Sequence, residues 1–492
     1  MAKSKGGEKI IDLTRNSIVK NVLHLFYSTA LSSILNLLTL ILLAKSMNSE
    51  NYGMFSIALA ISLVMGYFTD VGLSVTVLRE GSKKESNLEA IISSYIKVRI
   101  VLLIAIFLCG FMVIHLIYEN QELIKTMYFL IIPMVLGLSL QSVGITYFQL
   151  VEKMQYLGII RISSALFLVI SIFLGSWLKV GPFIISFLYG FSYFLAGLVG
   201  LFLVSKHIEL SFKWPFQKLI LYKLWIFLLS GLLMMLLPQI GPIVLEKTLT
   251  LSQLGMFAIA LRIPASLYQI PGVIAGAFYP ALFRLYNIDE SDQHLKLNIL
   301  QLKIMSLMGM CITIVLFYMS EEIILLLFGH KWIHAAEALQ VLSLLLVLQS
   351  INIALADGLT TQAKQNYRTI VQFVSVVCAI FLFLFLSNLY LILGAAMACL
   401  CIEAIALIGF WITNPNRWII AKNVLVPYSI FFGISLFGTY TFFESTPIVA
   451  MIICIFVLTI VVLLDRVLSR NIITYFKRST IGRVLSKFWK GS

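Results

Sequence analysis

Apolar residues run along the chain in blocks about as long as a bilayer-spanning helix. The blocks fall approximately at 22–44, 53–75, 100–118, 126–149, 160–178, 182–205, 224–245, 252–282, 303–320, 338–359, 370–387, 391–413, 424–442 and 447–464. Crossing a hydrocarbon core takes about 20 apolar residues of helix. Lipid offers no partners to bare backbone groups, so continuous α-helix is the form that blocks of this length take. The pattern predicts an all-α integral membrane protein with about 14 transmembrane helices and no soluble domain.

Basic residues test the count. With the N-terminus placed in the cytoplasm, the inner-side segments hold 30 of the 36 Lys and Arg residues. The outer loops hold Lys45, Lys125, Lys179, Lys247 and Lys331, and Arg262 lies inside a helix. This is the positive-inside asymmetry, and a missed or invented helix would scramble it downstream. Both termini are expected in the cytoplasm, and the protein in a bacterial inner membrane.

Composition agrees. Sixty per cent of residues are apolar and 12 per cent charged, against about 25 per cent charged in soluble chains. The net charge of +14 is then largely a topology signal, and nucleic-acid binding is not expected. The tail after Asp465 carries seven basic residues and no acid, interleaved with Ile481, Val484, Leu485, Phe488 and Trp489. It reads as a short amphipathic helix on an anionic leaflet. The first twenty residues are polar and the first apolar block is too long for a signal sequence, so no cleavable signal is expected. All six cysteines fall inside apolar blocks and are expected as free thiols. No metal site or cofactor motif is evident.

The chain repeats itself. LAKSMNSENYGMFSIAL at 43–59 and LEKTLTLSQLGMFAIAL at 245–261 match at eight of seventeen positions, without gaps, at an offset of 202. The copies lie six blocks apart and so share orientation, which predicts two parallel six-helix lobes related by an axis along the membrane normal. The expected layout is a cytoplasmic N-terminus at 1–21, an N-lobe at 22–205, a linker at 206–223 and a C-lobe at 224–413. Two appended helices at 424–464 and the basic tail at 465–492 follow.

Polar residues inside the blocks mark candidate substrate and ion positions. His24, Ser28, Ser32, Asn36 and Thr39 recur along block 1 at helical spacing. Block 8 carries Gly255, Arg262, Ser266, Gln269 and Gly276. Block 4 carries Ser142, Thr146 and Gln149, and block 10 carries Ser343, Ser350 and Asp357. Blocks 3 and 14 are almost wholly apolar. Blocks 1, 2, 4, 8 and 10 are therefore expected to line a wet cavity, against the alternative that their hydroxyls join packed helices. Arg262 lies ten residues past Ser252, about 15 Å along a helix. Its counterpart in the first copy is Ala60, so the charge is no part of the repeat. A planar, always-charged donor fork suits phosphate or carboxylate, and the alternative is a salt bridge to Glu403 or Asp70. Pro264 and Pro271 interrupt the same helix and let it bend. The membrane acids Asp70, Asp357 and Glu403 are candidates for coupling an ion. Asp70 and Asp357 alternatively cap helix ends, Glu403 alternatively serves as a neutral hydrogen-bonding group, and His24 alternatively snorkels.

Leu43-Ala44-Lys45, Asn51-Tyr52-Gly53-Met54-Phe55, Asp70-Val71-Gly72-Leu73 and Leu78-Arg79-Glu80 resemble bacterial polysaccharide transporters. Leu327-Phe328-Gly329 with Trp332, and the second copy around Gly255, extend the resemblance over the whole chain. These are oligosaccharide-lipid flippases of the superfamily that also holds the lipid II flippase and the multidrug and toxin extrusion exporters. The resemblance implies a V-shaped pair of lobes moving undecaprenyl-pyrophosphate-linked sugars outward by alternating access. Glycosyltransferases and polysaccharide polymerases are the implied partners. It also implies a cationic cavity, which Arg262 fits, with Ser266, Gln269, Asn36, Ser32 and His24 lining it. The rest of the cavity reads as polar-neutral, a departure from the family. Leu327 to Trp332 reads physically as an external turn with an interfacial aromatic. The competing readings are a multidrug exporter and a membrane glycan polymerase or ligase. The latter would need catalytic groups on an outer loop, and only the small cluster Glu321, Glu322, His330, Lys331, His334 and Glu337 is available.

Single cysteines in a cysteine-free background test the topology. Positions 45, 179 and 331 are expected to react with an impermeant thiol reagent in intact cells, and positions 83 and 218 are not. External labelling at 218 would overturn the helix count.

Overall fold

A computed structural model describes residues 24, 27–83, 86–221, 224–443, 446–465 and 468–469. The predicted amphipathic helix of the basic tail lies outside these residues. The described residues form helices and connecting turns, with no strand among them. Twelve helical stretches are long and apolar enough to cross a membrane, so the chain is a multi-pass membrane protein. The described residues of each of the fourteen apolar blocks fall mainly on helix. One helix, Gln365–Thr413, holds two blocks, because the chain turns back at Tyr390 and Leu391, where Leu391 takes φ of +50°. The Leu224–Leu245 helix accounts for another.

The chain forms two compact units, residues 1–259 with 327–331, and residues 260–326 with 332–492. The division falls within a helix. In the first unit α1 (Tyr27–Ser46) is followed by α2 (Ser49–Phe68), α3 (Leu73–Gly81), α4 (Leu88–Ile117) and α5 (Gln121–Leu150). Then come α6 (Met154–Trp177), α7 (Pro182–Ser205), α8 (Leu224–Leu245) and the start of α9 (Leu251–Leu267). Asparagines open three of these helices. The side chains of Asn48, Asn87 and Asn120 accept hydrogen bonds from first-turn amides that no helical carbonyl can meet. The second unit runs from the end of α9 through α10 (Gln269–Asn287), α11 (Ser291–Tyr318), α12 (Ser320–Phe328), α13 (Ala336–Ser343), α14 (Leu345–Thr361) and α15 (Gln365–Thr413). A short α16 (Arg417–Ile420), α17 (Val426–Phe442) and α18 (Pro447–Leu464) complete it. The last two pack on α11, where the Tyr318 hydroxyl meets the Leu436 carbonyl at 3.0 Å and the Thr439 hydroxyl at 2.6 Å.

Three sequence expectations change. The helices α4 and α11 each begin about twelve residues before their apolar blocks, so Arg99 and Lys303 lie inside helices and not in cytoplasmic loops. Arg262 is therefore not the only cation within a long helix. Trp332 is no interfacial aromatic, since it is 0% exposed.

The two repeat copies touch inside the first unit. A Cβ on Gly53 would lie 2.0 Å from the Leu251 carbonyl oxygen, and one on Gly255 would lie 1.9 Å from that of Ser49. Ser49 pairs with Leu251, and Gly53 with Gly255, at the same offset of 202. The crossing is therefore symmetric residue by residue, with the two backbones as close as helices come. The Ser49 and Ser252 hydroxyls meet there at 2.6 Å. Nearby, Lys331 Nζ donates to the carbonyls of Lys45 (3.2 Å) and Met47 (2.8 Å) at the end of α1. Gly53→Ala and Gly255→Ala should each lower stability by about 1–3 kcal/mol through overpacking, read as a lower melting temperature in detergent. With the native cysteines removed, Ser49→Cys with Ser252→Cys should oxidise readily to a disulfide. A pair that stays reduced under oxidant would refute the crossing.

Candidate functional site

All three membrane acids marked by the sequence have protein partners in hand. Asp70 sits where α2 gives way to α3, in a break formed by Val71 (φ +44°) and Gly72 (φ +83°). A β-branched residue in the left-handed region costs about 1–3 kcal/mol and persists only where its surroundings hold it. Arg99, 3% exposed, supplies that hold. Its Nη1 donates to Asp70 Oδ1 at 2.5 Å and to the Tyr95 hydroxyl at 2.7 Å. Its Nη2 donates to Thr69 Oγ1 at 2.9 Å and its Nε to Ser139 Oγ at 3.2 Å. The Tyr95 hydroxyl donates to Asp70 Oδ1 and the Ser74 hydroxyl to Oδ2, each at 2.7 Å. The Ser74 amide, in the first turn of α3, also donates to Asp70 Oδ2 at 3.4 Å, so Asp70 caps the start of that helix as well as holding Arg99.

In the second unit Asp357 Oδ2 accepts from Gln301 Nε2 at 2.8 Å, in the buried α11–α14 contact. Glu403 lies on α15. Gln349 Nε2 donates to its Oε1 at 3.0 Å and Asn352 Nδ2 to its Oε2 at 2.7 Å. The Asn352 carbonyl oxygen, Oδ1, is buried beside it without a hydrogen bond. Lys303 Nζ donates to Asp465 Oδ2 at 2.5 Å, joined by the Tyr428 hydroxyl at 3.0 Å. Burial works against the Asp465 charge, but these donors win and hold its carboxyl below the usual range.

Arg262 differs from every cation above. It is partly buried, and it makes no ion pair or side-chain hydrogen bond with a described residue. Only its backbone carbonyl is engaged, accepting from Ser266 Oγ at 2.8 Å. The helix bearing it breaks at Tyr268, between Pro264 and Pro271, and Gln269 opens α10 as an exposed residue. The salt bridge to Glu403 or Asp70 offered by the sequence does not form.

The polar stripe of α1 divides. Ser28 and Thr39 are buried in packing, Ser28 against Gly158 of α6, while Asn36 is exposed and His24 and Ser32 partly buried. Ser343 and Ser350 bond back to carbonyls on their own helical segments. Gly255 serves the helix crossing and not a cavity wall. Two further arginines went unmarked by the sequence. On α6, Arg161 reaches the Thr29 hydroxyl of α1 at 3.3 Å, and on α15 Arg368 reaches Thr360 Oγ1 at 3.3 Å. Among the described residues no group of three His, Cys, Asp or Glu side chains is placed to hold a metal.

The chain matches the polysaccharide biosynthesis protein family over residues 18–286. It is 23% identical over 401 residues to the capsular polysaccharide biosynthesis protein CapF of Staphylococcus aureus, covering 80% of this chain and 98% of CapF. Its fold is similar to the lipid II flippase MurJ in an inward closed conformation, with a TM-score of 0.68 and 17% identity over 91% of this chain and 99% of that one. It is also similar to an inward-facing MATE-family multidrug transporter of the MOP superfamily, with a TM-score of 0.65 and 13% identity over 80% and 96%.

The Asp70–Arg99 pair yields a stability test. Asp70→Asn or Arg99→Leu alone leaves one buried charge unmatched and should cost about 3–5 kcal/mol. Asp70→Asn with Arg99→Leu should recover part of that loss in a thermal melt. Additive losses in the double variant would show that the two residues do not interact.

Proposed function

The chain belongs to the polysaccharide biosynthesis protein family, and we propose that it is a flippase for lipid-linked oligosaccharide. It carries an undecaprenyl-pyrophosphate-type cargo from the inner to the outer leaflet of a bacterial cytoplasmic membrane by alternating access. Both termini lie in the cytoplasm in this reading, and the basic tail rests on anionic lipid. The observation that carries it is the state of Arg262. A guanidinium within a membrane helix costs several kcal/mol unless something compensates it, and no described carboxylate does so. Water between transport cycles and the anionic headgroup of the cargo during them fill that role. Ser266 and Gln269, which follow Arg262 in the chain, supply neutral donors and acceptors for sugar hydroxyls.

The chain acts by moving its cargo and not by altering it. The family's place in polysaccharide synthesis makes polymerases and glycosyltransferases its functional neighbours. The multidrug-exporter reading has the fold in its favour, but an unpaired arginine suits an anion better than the cationic compounds such a reading implies. Glu403 is the best-placed carboxyl for ion coupling. Two amides orient it, Asn352 Oδ1 is an open acceptor at its side, and it has no cation to displace, whereas Asp70 already holds Arg99.

Reconstituted protein should carry a lipid-linked oligosaccharide between leaflets without changing its covalent structure, and a lengthened glycan or freed lipid would argue for the enzyme. Arg262→Ala should abolish transport while melting like the parent, because no protein partner is lost. Arg262→Lys should recover only part of the activity, since a point charge replaces a bidentate fork. A fully active Arg262→Ala protein would remove the basis of the assignment.

A further inference from the structure

The segment joining α7 to α8 is pinned to the first unit yet shows apolar side chains outward. Its backbone is tied down at four places. The Glu209 amide donates to Glu89 Oε1 at 3.4 Å, and Lys97 Nζ donates to the Trp214 carbonyl at 2.7 Å. The Gln217 amide donates to Ser94 Oγ at 2.9 Å, and the Thr76 hydroxyl donates to the Ile220 carbonyl at 2.7 Å. His207 packs edge-on to Phe148 and Tyr156, and Ile220 is fully buried. The inner face of this strap is therefore saturated. On the other side Phe212 is 66% exposed, Phe216 41%, Leu219 58% and Leu221 43%. Lys206, Lys213 and Lys218 are exposed among them, and Glu209 is the one acid in residues 206–221.

An ordered segment between two spanning helices lies at a membrane surface by necessity. Aromatic and aliphatic side chains interleaved with lysines match the acyl boundary and the phosphates of a charged leaflet. We propose that residues 206–221 form a docking surface for anionic phospholipid. Phe212, Phe216 and Leu219 enter the acyl boundary, and Lys213 and Lys218 meet lipid phosphates. Because Thr76, Ser94 and Lys97 grip the strap from α3 and α4, lipid bound there anchors the inner end of those helices as well. The surface is independent of the cargo assigned above.

The test uses the full chain without its native cysteines, carrying Phe216→Cys labelled with the fluorophore NBD, in vesicles of phosphatidylcholine alone or mixed with phosphatidylglycerol. Blue-shifted emission and quenching by shallow spin-labelled lipid are expected, both stronger with phosphatidylglycerol. Lys213→Gln with Lys218→Gln should abolish the phosphatidylglycerol dependence and leave the folded protein's melting profile intact. Water-like, unquenched emission in both vesicles would overturn the proposal. Water-like emission in vesicles with burial in native membranes would overturn it in favour of a protein partner. Equal quenching in both lipids, unaffected by the lysine changes, would overturn the claim for anionic headgroups.

Discussion

A charge carried into a bilayer has to be met by protein, by water or by cargo, and the internal order of both units follows from how this is done. In the first unit Arg99 enters on α4 and is met by Asp70, with Tyr95, Thr69 and Ser139 taking its remaining donors. That closed network permits the strained turn at Val71 and Gly72, and with it the offset of α3 from α2. In the second unit Lys303 enters on α11 and is met by Asp465 at the end of α18, which ties the two appended helices to the bundle. Buried as they are, isolated charges here would cost several kcal/mol each. Paired and hydrogen-bonded, they become the joints at which helices are registered.

The second organising contact is steric. Lipid gives helices no hydrophobic reason to associate, so tight association rests on packing and on interhelical hydrogen bonds. At Gly53 and Gly255 the two repeat copies approach until a methyl group would sit on a carbonyl oxygen. The Gly that stands out in the repeated segment is thus explained by the contact between the copies, where duplication of sequence and geometry coincide residue by residue.

Much of this was legible in the sequence, for physical reasons. Lipid enforces helix on every long apolar block, so the number of helices and their order could be read directly. Helix starts could not be read from hydropathy, because a helix projecting past the hydrocarbon core looks like a loop. The signal that was missed is local. Asn87 followed by Glu89, and Ser291 followed by Asp292, are helix-opening patterns, and each places a cation about three turns into the helix it opens. Starting α4 at Leu88 puts Tyr95 and Arg99 one turn apart on the same face, as the hydrogen bond between them requires. Pairing across helices has no local signature. Nothing in the spacing of Asp70 and Arg99 joins them, and Ser28 and Thr39 look no different in sequence from the exposed Asn36.

The two halves use the same scaffold with different charge. At the repeat offset of 202, Arg99 falls on Gln301, and each of these residues donates to an aspartate, Asp70 in one half and Asp357 in the other. The first half therefore neutralises its acid with a full cation. The second leaves its acid with a neutral amide, adds Glu403 held by two more amides, and adds Arg262 where the first half has Ala60. Duplication would have produced matching chemistry. The second half does pair Lys303 with Asp465, but its Arg262 has no described acid partner and its Asp357 and Glu403 accept from neutral amides. A structural role gives no reason to keep both an unpaired arginine and amide-held acids in one bundle, because apolar residues would pack there at lower cost. The second half thus keeps an arginine without a described acid partner and two amide-held carboxylates, where the first half closes its Asp70 with Arg99.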